Sequence, residues 1–126
     1  MTSQTGNSLE HLTATEQQAI MEFVHLLREQ FNGQVRSVLL FGSKARGEGS
    51  LDSDLDVLVV VDSDDWRVHK QIRYLAADIC LKYDLNLSPR VWSTSHWRET
   101  EELRTLLYQN IHRDGVNLLA LAPAAG

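Results

Sequence analysis

The sequence has few of the residues that mark specialised classes of protein. Its 126 residues include one cysteine, Cys80, and two prolines, so neither an intramolecular disulfide nor a zinc-type cysteine spacing is available. No apolar run approaches the ~20 residues that a membrane-spanning helix needs. The N-terminus lacks the basic and apolar regions of a signal peptide. These absences predict a cytoplasmic protein that does not contact a membrane.

Positive charge is also scarce. Lysine and arginine number 12 against 17 acidic residues, which gives a net charge of -5, and no basic cluster stands out. Nucleic-acid binding usually requires a basic face, so this balance argues against a nucleic-acid partner. The length predicts a single domain over residues 1–126. We expect its ends, residues 1–12 and 119–126, to be flexible.

The hydrophobic pattern predicts elements in the order α-β-β-α-β-α. A capping box at Thr13–Glu16 begins the first helix, and Asn32-Gly33 ends it. The other predicted elements are a strand over 34–41, a single helical turn near 44–46, a strand over 55–61, a helix over 66–83, a strand over 85–92, and a last helical region that follows Ser93 and breaks at Gly115. Together they predict an α/β fold, a small mixed sheet flanked by helices.

The composition of two strands predicts their places in that sheet. The strand over 55–61 is apolar on both faces, which is typical of a central strand. The strand over 85–92 contains Pro89, which cannot donate a ladder hydrogen bond. It is therefore expected at an edge or beside a bulge.

The most informative stretch is the loop GSKARGEGSLDSDLD between the first two strands. It places Asp54 and Asp56 at the mouth of the most hydrophobic strand. Two aspartates one residue apart on a strand share a face, with Cα atoms ~6.6 Å apart. Such a pair can hold one or two Mg²⁺ ions, which share their remaining positions with phosphates. A D-x-D pair alone is also common where a strand end meets solvent.

Other residues of the loop suit a phosphate ligand. Gly42 permits close approach of the backbone, and Ser43 offers a hydroxyl and an amide. Lys44 and Arg46 could neutralise phosphate charge, Arg46 with its planar fork. Glu48 and Asp52 are off the strand and are interpreted as solvated loop charges.

Gly42-Ser43, ten further residues and then Asp54-Leu55-Asp56 match the G-S-x10-D-x-D signature of the polymerase-β-like nucleotidyltransferases. The fuller string resembles the minimal nucleotidyltransferases, many of which are antitoxins encoded beside HEPN-type toxins. The resemblance implies the nucleotidyltransferase fold, with ATP as co-substrate and Mg²⁺ as cofactor. It also implies that AMP is transferred to a tyrosine hydroxyl of the partner toxin, in a hetero-oligomer with it.

The same resemblance implies a role for individual residues. Gly42 and Ser43 would contact the triphosphate, with Lys44, Arg46 and Ser53 as further candidate nucleotide contacts. Asp54 and Asp56 would bind Mg²⁺. The superfamily usually has a third carboxylate on a later strand, and Asp84 is the candidate. Alternation places Asp84, Asn86 and Ser88 on one face, and Asp84 could equally be a turn or cap residue.

Two other functions remain open at this stage. The chain could be a nucleotidyltransferase that acts on a small molecule or an RNA end. It could also be a non-catalytic module that neutralises a toxin by binding alone. The intact loop favours catalysis, whereas the ambiguous third carboxylate favours the binding module.

Overall fold

The computed structural model describes residues 9–50 and 53–121. Helices and short strands alternate along this part of the chain, except where α5 directly follows α4. In chain order the elements are α1 (Ala14–Gln30), β1 (Val35–Phe41), α2 (Ser43–Arg46), β2 (Leu55–Val61), α3 (Trp66–Tyr83), β3 (Leu87–Ser93), α4 (Thr94–Leu103), α5 (Leu106–Asp114), β4 (Val116–Asn117) and α6 (Leu118–Leu121). None of the helices described is long and apolar enough to cross a membrane.

The strands form one mixed sheet in the order β3-β2-β1-β4. β2 is antiparallel to β1 and parallel to β3, and β4 is antiparallel to β1. This arrangement confirms the predicted α/β class with a mixed sheet. It also confirms β2 as an inner strand and β3, which carries Pro89, as an edge strand.

Helix α1 begins where the capping box predicted. The Thr13 hydroxyl accepts a hydrogen bond from the Glu16 amide at 3.1 Å, and the Glu16 carboxylate accepts one from the Thr13 amide at 2.9 Å. These two bonds satisfy two amides that a helix start leaves without partners. They also fix the position of the Glu16 side chain, which has a second partner in the candidate site.

The two faces of the sheet are covered by different helices. One face packs against α1, α3 and α6, and this main core contains the alternate β2 residues Leu55, Val57, Val59 and Val61. The other face packs against α4 and α5 in a smaller cluster that includes Phe41, Leu58, Val60 and Ile111. Asp56 belongs to this second face, because it alternates with Leu55 and Val57 along β2.

Several boundaries differ from the sequence-based expectation. β3 begins at Leu87, so residues 85 and 86 precede it. The last helical region is two helices, since Arg104 adopts a left-handed conformation (φ 49°) and the Thr105 hydroxyl caps α5. β4 and α6 were not predicted. Leu12, in a segment expected to be flexible, is buried in the main core; residues 1–8 and 122–126 of the two ends lie outside the described part of the chain.

Candidate active site

Gly42 forms one wall of the site. β1 ends at Phe41, whose Cα pairs with that of Asp56, and Gly42 follows with φ 83° and ψ -166°. A side chain at Gly42 would collide with Oδ2 of Asp56 and lie 3.3 Å from its Cγ. Only glycine combines this backbone conformation with such an approach. The Gly-Ser dipeptide and the second aspartate of the motif therefore meet in space.

The turn after Gly42 gives the site several hydrogen-bond donors. Helix α2 is four residues long, and the amides of Ala45 and Arg46 both donate to the Gly42 carbonyl. The amides of Ser43 and Lys44 open the turn, and helix geometry provides them with no acceptor inside it. These two amides, together with the Ser43 hydroxyl, suit an anionic ligand.

Ser43 and Ser53 are brought together around Gly49. A Cβ atom at Gly49 would lie 3.0 Å from Oγ of Ser43 and 3.2 Å from Oγ of Ser53. Ser53 is also bound to Ser50, whose amide donates to its Oγ at 2.9 Å. The structure thus places two of the predicted nucleotide contacts on the same side of the loop.

Asp56 is half-buried and Asp54 is exposed. Burial raises the pKa of Asp56, and the negative charge of Asp54 raises it further, while the positive charge of Arg90 opposes both effects. The two carboxylates are therefore close enough to repel each other. A cation between them would remove this repulsion, because a nearby opposite charge favours the ionised form of a carboxyl group.

Asp84, the candidate third carboxylate, lies outside the strand on which the sequence pattern placed it. Asp84 is not part of β3; it is the exposed C-cap of α3, with left-handed φ 53°. The residue of β3 that pairs with Asp56 is Ser88. Over residues 9–50 and 53–121, no three side chains among His, Cys, Asp and Glu are arranged to hold a metal ion. Asp84 therefore does not join Asp54 and Asp56 in a three-carboxylate set.

Lys44, a predicted nucleotide contact, has a carboxylate as its partner in this structure. Its side chain is buried, and Nζ donates to Oε2 of Glu16 at 2.7 Å. Burial alone would raise the pKa of Glu16, but hydrogen bonds from Lys44 and Thr13 and the charge of Lys44 lower it. The ammonium of Lys44 thus holds α2 against α1, and a bound phosphate would have to compete with Glu16 for it.

Arg46 stays at the surface of the loop. Its Nε donates to Glu48 at 2.9 Å, and its guanidinium lies 4.0 Å from the carboxylate of Asp114 at the end of α5. Arg46 therefore links the loop to α5 and has carboxylate partners on both. Glu48 is exposed, as predicted for a solvated loop charge, whereas Asp52 lies outside the described residues.

Sequence patterns did not indicate one residue on the face of the site, Arg90, and one contact of the loop, with His11. Arg90 lies two residues after Ser88 on β3, so alternation places it on the face of Asp56. The same alternation, continued past Ser88, would have found it. His11 packs its ring against Gly47, where a Cβ would lie 2.7 Å from the ring nitrogen. No sequence pattern signals that contact.

The fold and the loop together define a nucleotidyltransferase. The chain belongs to the nucleotidyltransferase domain family, whose model matches residues 20–116. This membership confirms the superfamily resemblance carried by the G-S-x10-D-x-D residues.

Two relatives similar in sequence are named as putative protein adenylyltransferases. The chain is 36% identical over 88 residues to "Putative protein adenylyltransferase MJ0604" of Methanocaldococcus jannaschii, covering 70% of this chain and 77% of that protein. It is 34% identical over 71 residues to "Putative protein adenylyltransferase MJ1305" of the same organism, covering 54% and 48%. A crystal structure described as a toxin-antitoxin with AMP-PNP shares the fold, with a TM-score of 0.51 at 19% identity over 78% of this chain and 71% of that one.

Proposed function

We propose that this chain transfers AMP from ATP to a tyrosine hydroxyl of a HEPN-type toxin and acts as its antitoxin. The observation that carries this proposal is the contact between the two halves of the motif. Gly42 lies against the Asp56 carboxylate, so a triphosphate on the Gly42-Ser43 turn would have its reacting end beside the aspartates.

The relatives support the choice of a protein as the acceptor. Two of them carry names that describe protein adenylyltransferases. A similar fold occurs in a toxin-antitoxin complex with AMP-PNP. The described part of the chain has one sheet and one layer of helices on each face, without a second domain to enclose a small acceptor. A partner protein that presents its own tyrosine fits such an open site.

The aspartate pair fits one Mg²⁺ ion. Asp54 and Asp56 are hard oxygen ligands that repel each other, and Mg²⁺ commonly combines one or two carboxylates with phosphate oxygens. When bound, Mg²⁺ would supply charge stabilisation at the phosphates. Mg²⁺ dependence is part of the proposal.

The protein groups have separate tasks in the proposed reaction. The Ser43 hydroxyl and the opening amides of α2 donate to the triphosphate. The tyrosine oxygen attacks the α-phosphorus, the bond from this phosphorus to the bridging oxygen of the β-phosphate breaks, and pyrophosphate leaves with both bonding electrons. The proton of the tyrosine hydroxyl is released. The chain positions the reactants and stabilises charge without forming a covalent intermediate.

The test uses labelled ATP, Mg²⁺ and the HEPN-type protein encoded beside this chain. We expect the partner to be labelled on tyrosine by the wild type, and the Asp54→Asn/Asp56→Asn variant to lower labelling about 100-fold or more. Asp64→Asn is the matched control, because Asp64 is an exposed acid beyond the opposite end of β2.

One observation favours a second candidate, a module that neutralises the toxin by binding alone. That observation is the absence of a three-carboxylate set among residues 9–50 and 53–121. If the wild type leaves the partner unlabelled and the Asp54→Asn/Asp56→Asn variant still suppresses its toxicity, the chain acts by binding and transfer is rejected. Labelling of an RNA end or a small acceptor instead of the partner would change the substrate class.

A further inference from the structure

The face of the sheet around Asp56 carries an unexpected cation. Asp56 pairs with Ser88, and the next residue on that face of β3 is Arg90, which pairs with Leu58. Adjacent strands lie ~4.8 Å apart, so Ser88 is the nearest β3 neighbour of Asp56 on this face. On the β3 side, the site is therefore bordered by the hydroxyl of Ser88 and the guanidinium of Arg90.

The guanidinium of Arg90 is available for a ligand. Arg90 is exposed, and no hydrogen bond or ion pair engages it within the part of the chain that the structure describes. The register of β2 and β3 places it one pleat beyond Ser88, on the face of the sheet that carries Asp56. By contrast, Arg46 and Arg36 are each paired with a carboxylate.

Arg90 and the Gly42-Ser43 turn lie on opposite sides of β2, the strand that carries Asp56. Gly42 and Ser43 approach the aspartates from β1, whereas Arg90 approaches them from β3, on the other side of β2. A triphosphate that lies on the Gly42 turn would bring its α-phosphate over Asp56, between the two strands. A guanidinium there can form two parallel hydrogen bonds to phosphate oxygens.

We propose that Arg90 binds the α-phosphate of the nucleotide from the β3 side, and that the site holds one divalent cation instead of two. The proposal rests on the proposed function in one respect, that a nucleoside triphosphate is the substrate. Two carboxylates can hold one ion against the triphosphate. Arg90 supplies the positive charge that a second ion, held by a third carboxylate, would otherwise bring.

The first test measures nucleotide binding without any acceptor. A non-hydrolysable ATP analogue is titrated into the protein with Mg²⁺, using calorimetry. We expect Arg90→Ala to weaken binding about 10- to 100-fold, the range for a lost charged hydrogen bond, and Arg90→Lys to give an intermediate affinity. Arg73→Ala is the control, because Arg73 is an exposed arginine on α3, which covers the opposite face.

The second test counts ions. Mn²⁺ is titrated into protein saturated with the same analogue, and free Mn²⁺ is followed by electron paramagnetic resonance. We expect one bound Mn²⁺ per bound nucleotide in the wild type. Ser88→Asp/Arg90→Ala, which places a third carboxylate beside Asp56 and removes the guanidinium, should bind two. Circular dichroism and thermal unfolding confirm that each variant is folded.

The outcomes separate this proposal from the proposed function. Unchanged affinity in Arg90→Ala, two ions in the wild type, or one ion in the folded double variant each overturns the proposal for Arg90. Nucleotide binding of the expected kind without transfer to the toxin rejects the proposed function and leaves the proposal for Arg90 supported. A wild type that binds no nucleotide overturns both.

Discussion

At the scale of single residues, the site depends on one close approach, that of Gly42 to the Asp56 carboxylate. The sequence predicted that glycine would permit close approach of the backbone. It could not predict that the approaching group would be the second aspartate of the same motif. That contact depends on the pairing of Phe41 with Asp56 across β1 and β2, which is a long-range property.

Gly42→Ala should therefore lower both the stability of the fold and the affinity of the site for nucleotide. The variant forces alanine into a positive φ and pushes its Cβ into Asp56. We expect a loss of about 1–3 kcal/mol of unfolding free energy and a large loss of nucleotide affinity. Gly33→Ala is the matched control, because Gly33 has a similar φ of 82° with no atom within 4 Å of an added Cβ. Equal losses of nucleotide affinity in both variants would contradict the role assigned to Gly42.

Lys44 illustrates a residue whose type suggested one role and whose burial indicates another. A lysine beside Gly-Ser suggests a phosphate contact, because the sequence does not show which way its side chain turns. Its partner Glu16 is 28 residues away and is itself positioned by the capping box. A buried lysine needs such a partner, since an unpaired buried charge is costly.

Lys44→Met should leave Glu16 buried without its cation. We expect a loss of about 3–5 kcal/mol in urea unfolding. Glu16→Gln/Lys44→Met should recover much of that loss, because glutamine keeps an acceptor for the Thr13 amide and no charge is left without a partner. The double variant should also bind the ATP analogue as the wild type does. A stable double variant with strongly weakened nucleotide binding would restore Lys44 to the phosphate site.

At the scale of elements, the strong sequence signals were confirmed, as was the short turn of α2, whereas the sequence did not predict β4 and placed the start of β3 too early. β2 and α3 have the predicted bounds, since a run of β-branched residues and an 18-residue helical pattern leave little choice. The two-residue β4 has no periodicity to detect, and it forms only because Val116 and Asn117 pair with β1. The start of β3 was placed too early because Asp84-Leu85-Asn86 alternates like a strand, whereas Asp84 ends α3.

Asp84→Gly separates the two roles of Asp84. Asp84 is the left-handed C-cap of α3, a conformation that glycine adopts without strain. Glycine loses more backbone entropy on folding than aspartate does, so the net stabilisation should be roughly 0.5 kcal/mol. Nucleotide binding and transfer should stay unchanged. Arg104→Gly, at the left-handed end of α4, is the parallel control for the backbone effect. A catalytic Asp84 would instead lose activity on this substitution.

At the scale of the whole molecule, helices cover both faces of the sheet. The end of the sheet where β2 begins carries polar residues and can accept a ligand. The main core fills one face, and the aromatic side chains of Trp92, Trp97 and Tyr108 close much of the other. Asp56 is the half-buried acid at the open end of this second face. Its raised pKa means that ionising it opposes folding, so the site weakens the ligand-free protein.

Asp56→Asn should consequently stabilise the ligand-free protein at neutral pH. The pKa of Asp56 is raised above the ordinary 3.8, so the folded state holds this proton more tightly than the unfolded state. The stability that Asp56 contributes is present below pH 3.8 and is lost as the pH rises through the folded pKa. The stability advantage of Asp56→Asn over the wild type should therefore be small near pH ~3 and grow toward neutrality in urea unfolding.

Adding Mg²⁺ and the ATP analogue should reverse the order of stability at neutral pH, because binding to the folded state raises wild-type stability alone. If Mg²⁺ and nucleotide stabilise Asp56→Asn as much as they stabilise the wild type, Asp56 does not contribute to the metal and phosphate site.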